Sequence, residues 1–497
     1  MKLKGSLTVF LSLILVAVIT LLFSMSELVR IYEIKNFSTS VSEEAIDSAF
    51  SEYNRYLWTN YRILGLDISY GDKAVDFSLL KNRIAEFAEV NSNPEGEQNF
   101  VRIKASAVDV TEYSFLTDNN GYPVIYQGIK DTKQTMVSSV IEKIKSEGES
   151  VAGAKNEDIT GEVSNGKNSL ADAKEELAQK KKEAREDDDP QTNPDDYEEP
   201  GEVEDNPLDA FESFKNLIDR GILSTVIADM STVSDQSIEL NNLPSHRSLN
   251  SGNISSKEDT AIIDKTIYSQ YLLKNYSYFG RDIGHDGLSY EVEYIIAGKE
   301  SDEANLVTIV EKILLMREAA NYQTILNNGN MRAQAKGIAE TLAGFTGNPL
   351  IIEAVELAII GAWAYVESIL DLRLLLKGGK VPLLKSESQW TSDVAHLSNF
   401  LDVNKTAKDC GKGISYVEYL RGFILLESVG SLGIRNCDVI ENALNKTEDY
   451  RNVKLDDMVY KAKIDFNYKA NTMFLNLLKS QIDIDGYRIN RTCEISY

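Results

Sequence analysis

The chain has 497 residues, 52 Lys+Arg against 77 Asp+Glu for a net charge of −25, and 43% hydrophobic residues. Such a composition excludes a wholly disordered polymer and opposes non-specific nucleic-acid binding, which depends on clustered Lys and Arg; no nucleic-acid partner is expected. Three cysteines without CxxC spacing and only three histidines make neither a zinc site nor a disulfide framework.

Lys2 and Lys4 precede Gly5–Ser26, a run of 22 residues without a charge. At about 1.5 Å per helical residue it spans a hydrocarbon core of about 30 Å. The two lysines hold the N-terminus in the cytoplasm, which sends the body after Glu27 to the extracytoplasmic side of the cell membrane. The lipid bilayer is therefore the first expected partner. Ser24-Met25-Ser26 allows the competing reading of a cleavable signal, although the apolar run exceeds the usual h-region of about 7–15 residues. Helical spacing of Ile31, Ile34, Phe37, Val41, Ala45, Ala49, Tyr53, Tyr56 and Leu64 predicts that one helix continues from the bilayer to about Leu64.

Val101–Val110 alternates like a strand, Asp118-Asn119-Asn120-Gly121 reads as a turn, and a helix is expected over Val124–Lys145. Between Ser146 and Asn206 the hydrophobic pattern fades. Glu183–Asp205 holds twelve acidic residues against one basic, which predicts a disordered, solvated tether with a short helix near Leu170–Arg185. Helices are expected over Leu208–Met230, Asp259–Phe279, Asp302–Leu326, Met331–Ala343 and Pro349–Lys377, with Leu288–Ala297 as a strand. Val453–Tyr468 and Tyr487–Tyr497 alternate as strands around a helix near Thr472–Ile482. Strands near both ends of the body are free to pair in one sheet. The resulting division is a stub over 1–4, an anchor over 5–26, a first part of the body over 27–145, an acidic linker or insertion over 146–206, and a main α+β body over 207–497.

The segment at Pro349 has the clearest limits: Asn348 as N-cap, Pro349 in the first turn and Gly378-Gly379 at the far end. Its apolar length suggests a second span, but Glu353, Glu356, Glu367, Asp371 and Arg373 interrupt it, each costing about 2.5–3.5 kcal/mol at mid-bilayer. It is expected to be a core helix. Glu353, Glu356, Glu367 and Asp371 return near one face, a stripe able to bind a hard cation or act as an acid/base pair, or to form ion pairs with residues such as Arg317 or Arg373. Ion pairing or a solvent face is the plainer reading. His285 lies in a glycine-rich loop, Gly280–Gly287, that reads as a turn entering the strand at Leu288. No P-loop, HExxH or GxSxG is present, so no catalytic residue, cofactor or metal is expected. Cys410 and Cys437 are free to form a disulfide or to remain thiols.

Glu52-Tyr53-Asn54-Arg55-Tyr56-Leu57-Trp58, Arg317-Glu318-Ala319-Ala320-Asn321, Gly347-Asn348-Pro349, Ala362–Ser368, Gly378–Leu383 and Tyr416–Arg421, with Lys4–Ser12, form a recognisable set. The chain resembles a family of membrane-anchored proteins of Gram-positive anaerobes, domain of unknown function 5702. Its N-terminus is similar to the pseudopilin-like (TadE-like) proteins of tight-adherence (Tad) pilus systems. That resemblance implies prepilin-type processing between Gly5 and Ser6, with Phe10 standing where such chains carry a glutamate. It further implies a place near a bacterial pilus or secretion apparatus; with the anchor, the continuous membrane-to-exterior helix and the missing catalytic constellation, the leading expectation is a non-enzymatic structural or assembly role with protein partners in an envelope complex. A tethered ligand-binding or sensory ectodomain and a cell-envelope hydrolase using Glu353 and Glu356 are the alternatives. The fold expected is α+β: one N-terminal transmembrane helix running into a long amphipathic helix, then a mainly helical ectodomain with a mixed or antiparallel sheet and a disordered acidic insertion.

Overall fold

A computed structural model describes residues 3–70, 75–93, 100–135, 159–186, 197–254, 264–474 and 486–497. In chain order its main elements are α1 (Leu3–Phe50), α2 (Arg55–Tyr61), β1 (Leu66–Asp67), α3 (Phe77–Ser92), β2 (Ile103–Phe115) and α4 (Asp118–Thr135). There follow α5 (Ile159–Glu186), α6 (Pro207–Arg220), α7 (Ile222–Val226), α8 (Lys265–Asn275), α9 (Glu291–Ala297), α10 (Asp302–Leu326), α11 (Gly329–Ala343) and α12 (Pro349–Leu376). The chain closes with α13 (Tyr416–Leu426), α14 (Val429–Lys446), β3 (Met458–Ala470) and β4 (Tyr487–Ser496). The protein is α+β, with a long N-terminal apolar helix and a helical body. Two compact units interleave along it: Met1–Gly128, Asn241–Ile262 and Asn436–Tyr497 form the first, Ile129–Leu240 and Ile263–Arg435 the second.

In the first unit β3 is the central strand of a four-stranded antiparallel sheet. It pairs with β2 from Ile103↔Ala470 to Phe115↔Val459 on one edge, and with β4 and the short β1 on the other. Strands from opposite ends of the sequence thus meet in one sheet. The period of two on β3 sends Ala462, Ile464, Phe466 and Tyr468 to one face. There they share a core with Val41, Ala45, Ile46 and Ala49 of α1 and with Leu80, Ile84 and Ala88 of α3. The opposite face is polar, with Lys463 beside Glu112 at 2.9 Å and Thr492 bonded to Asp465 at 2.6 Å. Arg247, from the middle of the chain, is fastened to this unit by Glu441 and Asp456 at 2.8 and 2.7 Å.

The long N-terminal helix ends sooner than its periodicity suggested. It stops at Phe50, because Asn54 takes an extended backbone, its side chain accepts from the Leu57 N–H and a separate helix begins at Arg55. At Asp118-Asn119-Asn120-Gly121 the turn is present: residues 119 to 121 all have positive φ, 52° to 77°. The helix after it is described to Thr135, and its expected remainder lies outside the described residues, as does most of the helix expected near Thr472–Ile482.

The second unit is helical and is built around α12. Asn348 caps it through the Leu350 N–H at 3.0 Å, Pro349 opens it, and Gly378 at φ 86° follows its end. From Val355 to Leu375 nearly every side chain is buried, under α5, α6, α10 and α11. Three expectations are corrected here. The tether expected between Ser146 and Asn206 does not hold over Ile159–Glu186: the short helix expected near Leu170–Arg185 is present but begins earlier, as α5, packed on α12. Val163, Gly166, Leu170 and Ala173 make a stripe of small and apolar residues, and a Cβ on Gly166 would lie 2.3 Å from both the Ala354 carbonyl oxygen and the Ala358 Cβ. Of the acidic run, 187–196 lies outside the described residues, whereas 197–205 is described and bonded to the body: the Gly201 N–H donates to the Thr341 carbonyl at 3.0 Å, and Asp205 accepts from the Ser398 N–H at 2.9 Å. The strand expected at Leu288–Ala297 is instead a loop and the short helix α9. Its alternation is illusory because both sets of side chains are buried: Glu291 and Glu293 accept the Ser277 and Phe279 N–H groups at 2.7 and 2.9 Å. The helix expected over Leu208–Met230 divides at Gly221 into α6 and α7.

Candidate functional site

Two places concentrate charge against apolar surroundings. The first is where α1 enters its unit. From Leu7 to Met25 every residue except Phe23 is exposed, and Glu27 is the first buried one. Glu27 and Arg30 stand one helical turn apart, 3.0 Å from each other and 1% and 4% exposed. Arg30 donates to the carbonyls of Phe100, Val101 and Asn471, each at 2.8 Å. Glu27 accepts from the Phe474 N–H at 2.7 Å and from the Met473 N–H at 3.3 Å. Burial works against its charge, but the Phe474, Tyr487 and Met473 donors and Arg30 outweigh it and hold the carboxyl below its usual range. The first two charges after the apolar run are therefore spent on closing a collar of chain around the helix. Below that collar a cleft of about 420 Å³ opens between Leu22, Met25 and Val29 of α1 and Phe100, Val101 and Phe474.

The second place is the predicted acidic stripe of α12, which the structure splits. Glu353 is exposed, whereas Glu356 is buried and held by Arg332 at 2.7 Å. Glu367 and Asp371 are fully buried. Arg317 of α10 lies 2.9 Å from Asp371, donates to the Pro382 and Leu383 carbonyls at 2.9 Å, and reaches Asn321 at 3.0 Å. Lys385 binds both Glu367 and Asp371. Glu367 also accepts from the Ser392 N–H at 2.8 Å, and the Ser392 hydroxyl receives the indole N–H groups of Trp363 and Trp390 at 3.0 and 3.1 Å. Two cations and two anions neutralise one another, and the donors around them leave no free acid/base pair among the stripe residues. The network pins the segment 382–392 onto α12. Burial pulls the Arg317 guanidinium down, but Asp371 and Tyr419 overcome this and keep it firmly charged. Arg373 faces elsewhere, donating to the carbonyls of Thr225 and Phe400 at 3.0 and 2.8 Å.

Beside this network Glu318 of α10 is 3% exposed, and burial pushes its carboxyl up to about 8. Nothing in the sequence marks it except its place next to Arg317. Of Gly5 and Ser6 only helical backbone is described. His285 is buried against Glu291 at 3.0 Å, in a loop that leads to helix and not to strand. Cys410, Cys437 and Cys493 are all free thiols. A wider polar cleft of about 700 Å³ in the second unit is walled by Ser234, Asp235, Tyr278, Phe279, Arg281 and Tyr290.

Fold and sites together define an α+β protein whose N-terminal helix is apolar and bare over one part and built into a sheet core over the next. The chain belongs to the family of unknown function DUF5702, whose model matches residues 197–470, more than half of the sequence. The matched stretch contains the α12 network and leaves α1 outside it. No curated protein and no solved structure matches the chain.

Proposed function

We propose that the protein is a membrane-anchored extracytoplasmic structural or assembly component, held by α1 in the bilayer and serving as a minor pseudopilin-like part of a Tad-like pilus or secretion apparatus. The observation that carries this is the change of cover along one uninterrupted helix: bare from Leu7 to Met25, packed from Glu27 to Phe50. A bare apolar helix of that length is stable in hydrocarbon and not in water, where its exposed area is unfavourable by about 25 cal/mol per Å². Lys2 and Lys4 favour a cytoplasmic N-terminus. A rod that joins a lipid-facing segment to a sheet-bearing head suits a part that is first stored in the membrane and then handed to an assembly. The absence of a recognisable catalytic constellation in the sequence supports a non-enzymatic role.

Protease added to intact cells should digest the region after Glu27 while sparing Leu7–Met25, and deletion of the gene should reduce assembly of a surface filament or secretion of its cargo. Unchanged surface structures in the deletion strain would falsify the assembly role while leaving the anchor untouched. A second reading, a tethered ligand-binding ectodomain, is favoured by the 700 Å³ cleft, whose mixture of aromatic rings and polar groups suits a sugar or peptide. Saturable thermal stabilisation of the protein by such compounds, lost on Phe279→Ala, would select it.

A further inference from the structure

We infer that the cleft beneath the Glu27–Arg30 collar is a lipid site, filled by the upper acyl-chain segment of a phospholipid of the outer leaflet, so that the sheet unit rests on the bilayer surface instead of standing clear of it on a stalk. This rests on the anchor reading above and adds to it a depth, a ligand class and a second wall of contact.

Depth comes first. Counting from Gly5 at about 1.5 Å per residue, a hydrocarbon core of about 30 Å ends near Met25. The α1 wall of the cleft runs from Leu22 through Met25, Ser26, Val29 and Arg30 to Glu33, so the cleft straddles that level, open to hydrocarbon at its lower end and to headgroups at its upper end. Chemistry points the same way. Leu22, Met25, Val29, Phe100 and Phe474 supply an apolar lining, and the one cation in the wall, Arg30, has its guanidinium turned to Glu27 and to three carbonyls. Glu33, the acid in the lining, is the residue farthest out along α1, on the headgroup side. A volume of about 420 Å³ is that of a small-molecule pocket, in the common range of roughly 300–1,000 Å³.

Continuity is the third argument. The cleft is an extension of the apolar α1 surface that the anchor reading already places in lipid, and the exposed apolar side chains do not stop at its edge. Leu28, Val29 and Tyr32 are 69%, 63% and 65% exposed, and Phe100, which comes from the sheet side, is 56% exposed. Phe23 and Phe474 stack at 6.4 Å across the same level. Aromatic rings gathered at one height on a membrane protein mark the interface. A helix meeting water directly after Ser26 has no use for this second, aromatic wall; a unit seated on lipid does.

The test uses the full chain reconstituted in phosphatidylcholine/phosphatidylglycerol vesicles doped with a phospholipid that carries a photoreactive diazirine in the upper part of one acyl chain. After illumination, adducts are mapped by peptide mass spectrometry. Expected are adducts on Leu22–Val29 and on the peptides containing Phe100 and Phe474. Phe100→Asp should reduce the Phe100 and Phe474 adducts about fivefold while those on Leu7–Leu21 stay unchanged, and Phe100→Leu should retain them. Protease resistance of the collar, measured on both variants, shows that the unit is folded. Adducts restricted to Leu7–Leu21, with none at Phe100 or Phe474, would overturn the lipid site and leave the anchor standing. A photoreactive residue placed at Phe100 that cross-links two copies of the chain in the same vesicles, with no lipid adduct there, would assign the cleft to a second copy and overturn it equally. A chain that fails to float with the vesicles and carries no adduct anywhere would remove the anchor itself.

Discussion

The helices α1 and α12 are both long and apolar enough to cross a membrane, with mean hydropathies of 2.7 and 1.7. Over its most apolar window α1 is 0% buried, whereas that of α12 is 61% buried. The difference is announced by charge and completed by cover. Between Gly5 and Ser26 the first helix carries no charge to satisfy. The second carries acids that other parts of the chain answer: Arg332 for Glu356, Lys385 for Glu367, Arg317 and Lys385 for Asp371. An apolar helix studded with acids calls for protein around it, while one without charge is free to lie in lipid. Hydrophobicity alone does not separate the two cases.

The largest test of this contrast is to strip α12 of an answered charge. Asp371→Ala leaves Arg317 and Lys385 buried with one acid between them, and should destabilise the second unit by about 3–5 kcal/mol. Thermal unfolding of the chain should show a correspondingly earlier transition, and an unchanged midpoint would mean the network holds nothing together. The complementary change adds a charge to α1. Leu15→Arg, near the middle of the bare segment, should cost about 2.5–3.5 kcal/mol of insertion and lower the membrane-bound fraction recovered after carbonate extraction, with little change in the melting of the two units.

Next in size is the cover contributed by α5. Gly166→Leu should force that helix away from Ala354 and Ala358, with a loss of about 1–3 kcal/mol and faster proteolysis within Ile159–Glu186. A variant as resistant as the parent would show that the approach of the two helices is not close. The smallest effect expected is a gain. Glu318 has its proton held more tightly in the folded state than in the unfolded one, where a glutamate ionises at about 4.5. Its contribution is thus full below about 4.5 and is lost as pH rises toward 8. Glu318→Gln should therefore raise stability at pH 8 by about 1–2 kcal/mol and leave it unchanged near pH 4. Melting curves of both proteins across that window give the answer, and a pH-independent difference would contradict it.

What was legible in the sequence follows the same division. The limits of α12 are written in local residues, Asn348, Pro349 and Gly378, and so they are read correctly. Pairing of strands from the two ends is legible as alternation that reappears after Val453 and after Tyr487. The helix α5 is legible only in its second half, near Leu170–Arg185, because its first half buries small residues such as Gly166 inside a polar background that lowers the average hydropathy to that of a linker. The segment at α9 imitates a strand because it is buried on both sides, and only the distant Ser277 and Phe279 amides reveal why its glutamates are inside. In the stripe, spacing brings Glu367 and Asp371 together, and Arg317 is a partner the sequence offers. Lys385 is not legible, since a loop lysine leaves no periodic trace. Glu27 and Arg30 sit in plain view at the end of the apolar run, yet their partners near Phe100 and Phe474 are set by the fold of the unit and not by neighbours in sequence.

The collar also fixes an order of events in the life of the chain. Arg30 closes on the Asn471 carbonyl, 441 positions later, and Glu27 on the Phe474 amide, 447 positions later; the Tyr497 hydroxyl meets the Phe50 carbonyl across the same span. At about 5–20 residues per second of synthesis, a ribosome needs roughly 20–90 seconds to make the partners of a residue that was among its earliest products. Through that interval the acid and the guanidinium have no lock, and the strand on which the α1 core is to settle has not yet been translated. The ring can shut only once Asn471–Phe474 has been made, so a product terminated before that point would leave its first helix unclasped and open to the cell's proteases.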